Sequence, residues 1–239
     1  MSKTKHIISS IKLPIQFVAL LWIIHFVQLG FELTFGYDFR FLGVLPQKIY
    51  GLKGILFSPL IHGDFHHLFS NSLPLLFTSI MILMFYSRVA VRSMIMIYLL
   101  TGLSVWGFAR GDVFHIGASG VVYGFISFIF FNGIFRFNIK SIVLALIVTF
   151  LYSGYIVGIL PDQPGISWES HLLGAIVGIF TSYWYKDEIE ADEAKYVPSW
   201  EADEQAGIVE EERFFLNRDI FDKTKEERAV ERDEKNRLW

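Results

Sequence analysis

Gly117-Ala118-Ser119-Gly120-Val121-Val122-Tyr123-Gly124 opens an apolar run that continues to about residue 135, so a serine held between small residues stands where a membrane helix begins. A second junction of the same kind lies downstream, where the lone His171 heads another apolar run after Ser167-Trp168-Glu169-Ser170. A nucleophile and a base at the mouths of two membrane helices point to proteolysis. The surrounding composition agrees with the membrane half of that reading. Of 239 residues, 53% are hydrophobic and 17% aromatic, and the apolar residues come in stretches long enough to span a bilayer. Cysteine is absent, which excludes disulfides and thiolate metal sites. The net charge of −3 conceals a split: residues 1–185 carry 11 Lys+Arg against 6 Asp+Glu (+5), and residues 186–239 carry 10 against 18 (−8). The sequence therefore predicts an all-α membrane protein with a short N-terminal segment (1–13), a membrane domain (14–185) and an acidic tail (186–239).

Six hydrophobic stretches are expected at roughly 14–33, 65–87, 90–110, 119–135, 141–160 and 170–185. The first follows Lys3, Lys5 and Lys12 as a signal peptide would, but Gln28-Leu29-Gly30-Phe31-Glu32 offers no small-residue cleavage site, so it reads as a retained anchor. Basic residues orient the bundle: those three lysines precede the first span, Arg88 and Arg92 follow the second, Arg136 and Lys140 the fourth, and Lys186 the sixth. Lys48 and Lys53 run against that pattern and are outnumbered. Both termini are then expected in the cytoplasm, and the expected location is a bacterial cytoplasmic (inner) membrane.

Depth follows from helical rise. Ser119 lies 17 residues from Arg136 and His171 lies 15 from Lys186, which is about 26 Å and about 22 Å along a helix. Asn71 is also 17 residues from its cytoplasmic marker, Arg88. Against a hydrocarbon core of about 30 Å, these three polar side chains share a layer several ångströms inside the outer boundary. Unsatisfied polar groups in lipid cost several kcal/mol, so the layer implies a hydrated cavity lined by protein.

Spacing adds detail. His171, Gly174 and Gly178 fall on one helical face, and Gly120 and Gly124 are four apart on the helix of Ser119. Small residues let two membrane helices approach closely, which would bring histidine to serine. Tyr123, one turn below Ser119, is placed to pack on the imidazole and hold its orientation, a task that an acid performs in soluble triads. No acid is available at that depth, so a dyad is expected. In His62-Gly63-Asp64-Phe65-His66-His67-Leu68-Phe69-Ser70-Asn71, His67 and Asn71 are four apart and form a plausible oxyanion site of side-chain donors. The histidines lack the His-Glu-x-x-His spacing of zinc proteases, so no metal is expected. Val121 stands where a Gly-x-Ser-x-Gly elbow needs glycine, and no strand precedes it, so a soluble hydrolase is excluded. His25 and His115 receive no role. No phosphate-cradling loop or nucleic-acid patch is found, and no cofactor is called for.

The Gly117-Ala118-Ser119-Gly120 motif with Tyr123, the His62, His67 and Asn71 spacing, and His171 with Gly174 and Gly178 together resemble the rhomboid intramembrane serine proteases, over roughly residues 14–185. The resemblance implies a six-helix bundle in which the serine helix starts partway down a water-filled cavity and substrate helices enter laterally. It also implies Ser119 as nucleophile, His171 as base, and Asn71, His67 and the Ser119 backbone N–H at the oxyanion. His62 would organise the long first loop. Its substrates would be transmembrane proteins with small residues at the cut and a helix that unwinds easily. Two features depart from the family pattern. The first loop has Asp38, Phe39 and Arg40 in place of a Trp-Arg pair, and the second helix ends Phe85-Tyr86-Ser87-Arg88 without the acid common there.

Two rival functions use the same residues. An inactive rhomboid-like protein would bind membrane helices, but such proteins usually lack the serine or the histidine. A transporter would use the intramembrane histidines as a relay and leaves the serine motif unexplained. In the tail, charged clusters such as Glu210-Glu211-Glu212 alternate with Trp200, Phe214, Phe215 and Phe221, and Ile208 to Phe221 is expected to dock on the membrane domain or on a partner.

Overall fold

The structure, a computed structural model, describes residues 3–161, 167–190 and 223–237. The expected docking segment Ile208 to Phe221 lies outside the described residues, as does most of the acidic tail. The order is α1 (Lys3–Phe35), a first loop holding the short helix α2 (Gly54–Phe57), then α3 (Phe65–Phe85), α4 (Ala90–Phe108), α5 (Ser119–Arg136), α6 (Ile139–Tyr152) continued by a 3-10 stretch (Ser153–Ile159), and α7 (Trp168–Trp184). Among the described residues there is no strand, and one isolated antiparallel bridge joins Val44 to His115.

Among the described residues, five segments are long and apolar enough to cross a membrane: Ser10–Phe35, Phe65–Phe85, Ala90–Phe108, Ser119–Arg136 and Ile139–Ile159. The sixth expected span is α7, which has 17 residues and is the shortest of the set. The outer faces carry large apolar side chains such as Ile23, Phe26, Leu146 and Phe150, the inverse of a soluble surface, because lipid rather than water covers them.

Helix α5 is the hub. Val121, Val122, Tyr123, Phe125, Phe128 and Ile129 are all buried, and α3, α4, α6 and α7 pack around it. Its closest neighbour is α7, along a seam of glycines. A Cβ on Gly174 would overlap the Gly120 carbonyl, and one on Gly178 would overlap the Gly124 carbonyl. In lipid, where apolar burial drives little helix association, such close backbone contact supplies the packing attraction.

The end of the bundle at the turn between α3 and α4 answers the missing acid of the second helix. Glu190, which follows α7, brings its carboxylate back across the bundle and is buried at 7% exposure. It accepts from Ser87 Oγ (2.8 Å) and from the Arg88 backbone N–H (2.8 Å), while Arg88 Nη1 donates to the Ile189 carbonyl (2.6 Å). Arg92 pairs with Glu188, and Arg136 donates to the Tyr185 carbonyl. The carboxylate is thus supplied from 103 residues downstream instead of from the helix itself. Glu190→Ala removes the acceptor shared by Ser87 and Arg88, two exposed residues whose donors water can then satisfy, and a loss of about 0.5–1.5 kcal/mol in stability is expected. Thermal unfolding in detergent, compared with Glu188→Ala on the exposed pair, checks this.

Residues 223–237 belong to a second compact unit. There α8 (Lys225–Arg237) starts with a capping box, in which the Thr224 backbone N–H donates to Glu227 Oε2 (2.7 Å) and the Glu227 N–H donates to Thr224 Oγ1 (3.3 Å). That bonding holds the Glu227 carboxyl below its usual range.

Candidate active site

Ser119 is the first residue of α5, and three local features put it there. Gly117 has φ +99°, a left-handed conformation open to glycine, and a Cβ at this position would meet His67 Nε2 at 2.5 Å and Cε1 at 2.6 Å. Its N–H is held by the Ser58 carbonyl (2.8 Å). The next N–H, of fully buried Ala118, donates to His62 Nε2 (3.4 Å). Ser119 itself therefore sits in the first turn, where backbone N–H groups lack intrahelical carbonyls and the helix dipole is positive.

His171, on α7, is 8% exposed. Its Nε2 lies 2.8 Å from Ser119 Oγ, and its Nδ1 lies 2.8 Å from the Gly158 carbonyl oxygen. A carbonyl only accepts, so Nδ1 carries the ring proton and Nε2 turns a lone pair toward the serine hydroxyl. That is the tautomer a general base needs. The backbone of the 3-10 stretch after α6 thus accepts the kind of hydrogen bond that an acid accepts in soluble triads. Gly158 escaped the sequence reading because its acting group is a carbonyl common to every residue. A weak signal was present in the pair Gly154 and Gly158. A Cβ on Gly158 would overlap Tyr123 Oη and approach His171 Nδ1 to 3.2 Å.

Tyr123 lies flat on the imidazole, with ring centroids 4.2 Å apart and planes 14° apart. Its hydroxyl donates to the Tyr155 carbonyl (2.7 Å), which stops the ring from sliding. The imidazole is thus fixed in rotation by a hydrogen bond and in tilt by a stack.

Across the gap stand the α3 residues. Asp64 caps α3 by accepting from the His67 N–H (2.8 Å), which starts the helix so that His67 and Asn71 face the serine together. Asn71 is 5% exposed, and its Nδ2 has no hydrogen-bond partner among the described residues. A buried amide donor left open costs free energy unless water or a ligand fills it. His67 packs edge-on against His62, with centroids 5.1 Å apart. His62 is 2% exposed, and burial first, then the neighbouring His67, lowers its pKa to about 3, so it is a neutral acceptor at physiological pH. The resemblance assigned His62 to the first loop; its ring also reaches the residue that precedes Ser119.

A cavity of about 750 Å³ joins these groups and is lined by His67, Asn71, Ser119, Tyr123, Gly158 and His171. Arg40 reaches its rim from the first loop, where it forms a turn with Asp38 (Arg40 N to Oδ1, 2.8 Å; Nε to Oδ2, 2.7 Å). The three residues expected in one layer therefore open onto one space. Gly174 and Gly178 lie deeper, at the seam that holds α7 against α5.

Comparison with known proteins bears on what this arrangement does. The model of the rhomboid domain matches residues 50–187. An uncharacterised protein of Mycobacterium tuberculosis is 34% identical over 177 residues, covering 71% of this chain and 72% of the relative. One from Mycobacterium leprae is 29% identical over the same length, covering 71% and 68%. No solved structure matches.

Proposed function

Because the chain belongs to the rhomboid family, we propose that it is an intramembrane serine protease that cuts transmembrane segments of other membrane proteins through a Ser119–His171 dyad. The observation that carries this reading is the bonding of His171, whose Nδ1 faces a carbonyl and whose Nε2 faces Ser119 Oγ at 2.8 Å. Histidines retained only for packing have no need of that tautomer next to a serine.

In the proposed reaction the Ser119 hydroxyl gives its proton to His171 Nε2 as its oxygen attacks the scissile carbonyl. Negative charge then gathers on the substrate oxygen, where Asn71 Nδ2–H, the Ser119 backbone N–H and His67 are the donors at hand. The tetrahedral adduct collapses, His171 returns its proton to the leaving amine, and an ester remains on Ser119. Water entering from the cavity repeats the steps with water as nucleophile and frees the acid. A Gly158 carbonyl in place of a carboxylate stabilises the imidazolium by a dipole instead of a full charge, and it places no ionised group in the membrane.

In this reading α7 is a sixth span, shorter than the rest because the cavity admits water above it. The basic residues at one end support a cytoplasmic location for both termini, and the mycobacterial relatives fit a bacterial cytoplasmic membrane. Small residues at the cut suit a cavity shared with Tyr123 and the imidazole.

A serine-directed fluorophosphonate probe tests the proposal. Ser119 of the purified wild type should be modified, as read by mass spectrometry of the labelled peptide. An inactive helix binder would show no labelling at that peptide. Asn71→Ala should lower kcat for a single-span reporter by about 10²- to 10³-fold with KM little changed, because the donor is used only as charge develops. Equal loss in kcat/KM through KM alone would place Asn71 in substrate binding instead.

A further inference from the structure

His115 had no role in the reading of the sequence, yet it is 4% exposed and bonded on every side. Its backbone pairs with Val44 of the first loop in both directions, N–H to carbonyl at 2.8 and 2.9 Å. Its Nε2 donates to the Arg110 carbonyl (3.3 Å), which leaves Nδ1 as an acceptor. Facing Nδ1 are Ser167 Oγ, in close contact, and Ser170 Oγ at 3.2 Å, and the two hydroxyls are 2.7 Å apart. A consistent order is Ser170 to Ser167 to His115 to the Arg110 carbonyl. Burial holds the imidazole below its ordinary range, which keeps Nδ1 free to accept.

The ends of this chain of bonds matter more than its middle. His115 lies four residues before Ser119 in the loop that feeds α5, and Ser170 is the residue before His171 in the first turn of α7. Beside it, Arg110 pairs with Glu169 (Nη2 to Oε2 at 3.2 Å), a carboxylate that is 8% exposed. Below it, the Ser170 carbonyl rests against Gly120, where a Cβ would meet it at 3.0 Å. Loop 110–118 and the turn 167–171 are therefore joined by side chains a few residues from each member of the dyad.

We propose that His115 is a positioning residue for the reaction: by bridging Ser167 and Ser170 it ties the loop that delivers Ser119 to the helix turn that delivers His171, and so sets the separation of the two. This rests on the Ser–His reading above. His115 touches neither substrate nor the reacting atoms. Its effect runs through geometry, where a misplacement of about 1 Å can cost about 10²-fold in rate.

The test uses the full chain reconstituted in vesicles, with kcat and KM for a single-span reporter, the rate of fluorophosphonate labelling at Ser119, and the midpoint of thermal unfolding. His115→Ala should lower kcat and the labelling rate together, by about 10- to 100-fold, with KM within about threefold. His115→Asn, whose amide oxygen replaces Nδ1 as acceptor, should recover most of that loss, which a purely structural role at the Val44 bridge does not predict. If His115→Ala does not fold, the double variant Ser167→Ala with Ser170→Ala decides, since it removes the acceptor's partners and leaves the backbone bridge intact. Full kcat and full labelling rate in that double variant would overturn the proposal while leaving the dyad in place. A wild type that is not labelled at Ser119 would overturn the dyad, and this proposal with it.

Discussion

Ser119→Ala and His171→Ala are each expected to lower kcat for a transmembrane reporter by about 10⁴- to 10⁶-fold, and the double variant is expected to be no worse than either alone. The reason lies in how the two side chains share one task. In the proposed reaction Ser119 Oγ is a weak nucleophile until His171 Nε2, 2.8 Å away, takes its proton. Without the base the hydroxyl loses the acceptor that faces it, and without the hydroxyl the base has nothing to activate. Initial rates with purified, reconstituted protein check this, with KM as the control. KM should change little, because neither group binds the substrate more tightly before reaction begins. Retention of a tenth of wild-type kcat by His171→Ala would mean that another group accepts the proton. Additive losses in the double variant would mean that the two residues act independently, contrary to the hydrogen bond between them.

Gly174→Val is the second large effect. A Cβ at Gly174 would overlap the Gly120 carbonyl and come within 3.1 Å of the Gly120 Cα, and these are backbone atoms of a helix that cannot rotate away as a side chain can. Helix α7 must therefore move off α5 or the chain must fail to assemble. Overpacking of this kind costs about 1–3 kcal/mol for the first methylenes, and valine adds two further methyl groups. Even a displacement the fold survives carries His171, one helical turn above, away from Ser119, so activity should be lost in molecules that remain folded. Thermal unfolding and fluorophosphonate labelling measured together separate the two effects. A variant that unfolds at the wild-type temperature and labels at the wild-type rate would show that the seam is looser than its geometry. Gly107, which has no atom within 4 Å of its would-be Cβ, should accept the same change with little cost to packing and serves as the control.

A serine beside glycines at the head of an apolar run, a histidine at the head of another, and an asparagine in the same layer are local patterns. Counting residues to a basic marker places them in depth without knowledge of contacts, because a membrane helix has a fixed rise and the bilayer a fixed thickness. The glycine faces of α5 and α7 were legible for a similar reason, since 3.6-residue periodicity puts Gly174 and Gly178 on the side of His171.

The sequence by itself marked six apolar stretches, five of which are, among the described residues, long and apolar enough to cross a membrane, together with the polar groups that line the cavity. The partners of those groups were decided by tertiary structure. His171 is oriented by the carbonyl of Gly158, a group every residue possesses and no sequence marks. His115 looks like a loop residue until Ser167 and Ser170, more than 50 positions away, arrive beside it. Glu190 replaces an acid that the second helix lacks, across a separation of 103 residues. In each case the physical reason is the same. Periodicity and hydropathy report which face of a helix meets lipid or protein, a property of neighbouring residues, whereas a hydrogen bond between distant segments exists only after close helix packing has fixed their relative depth and rotation.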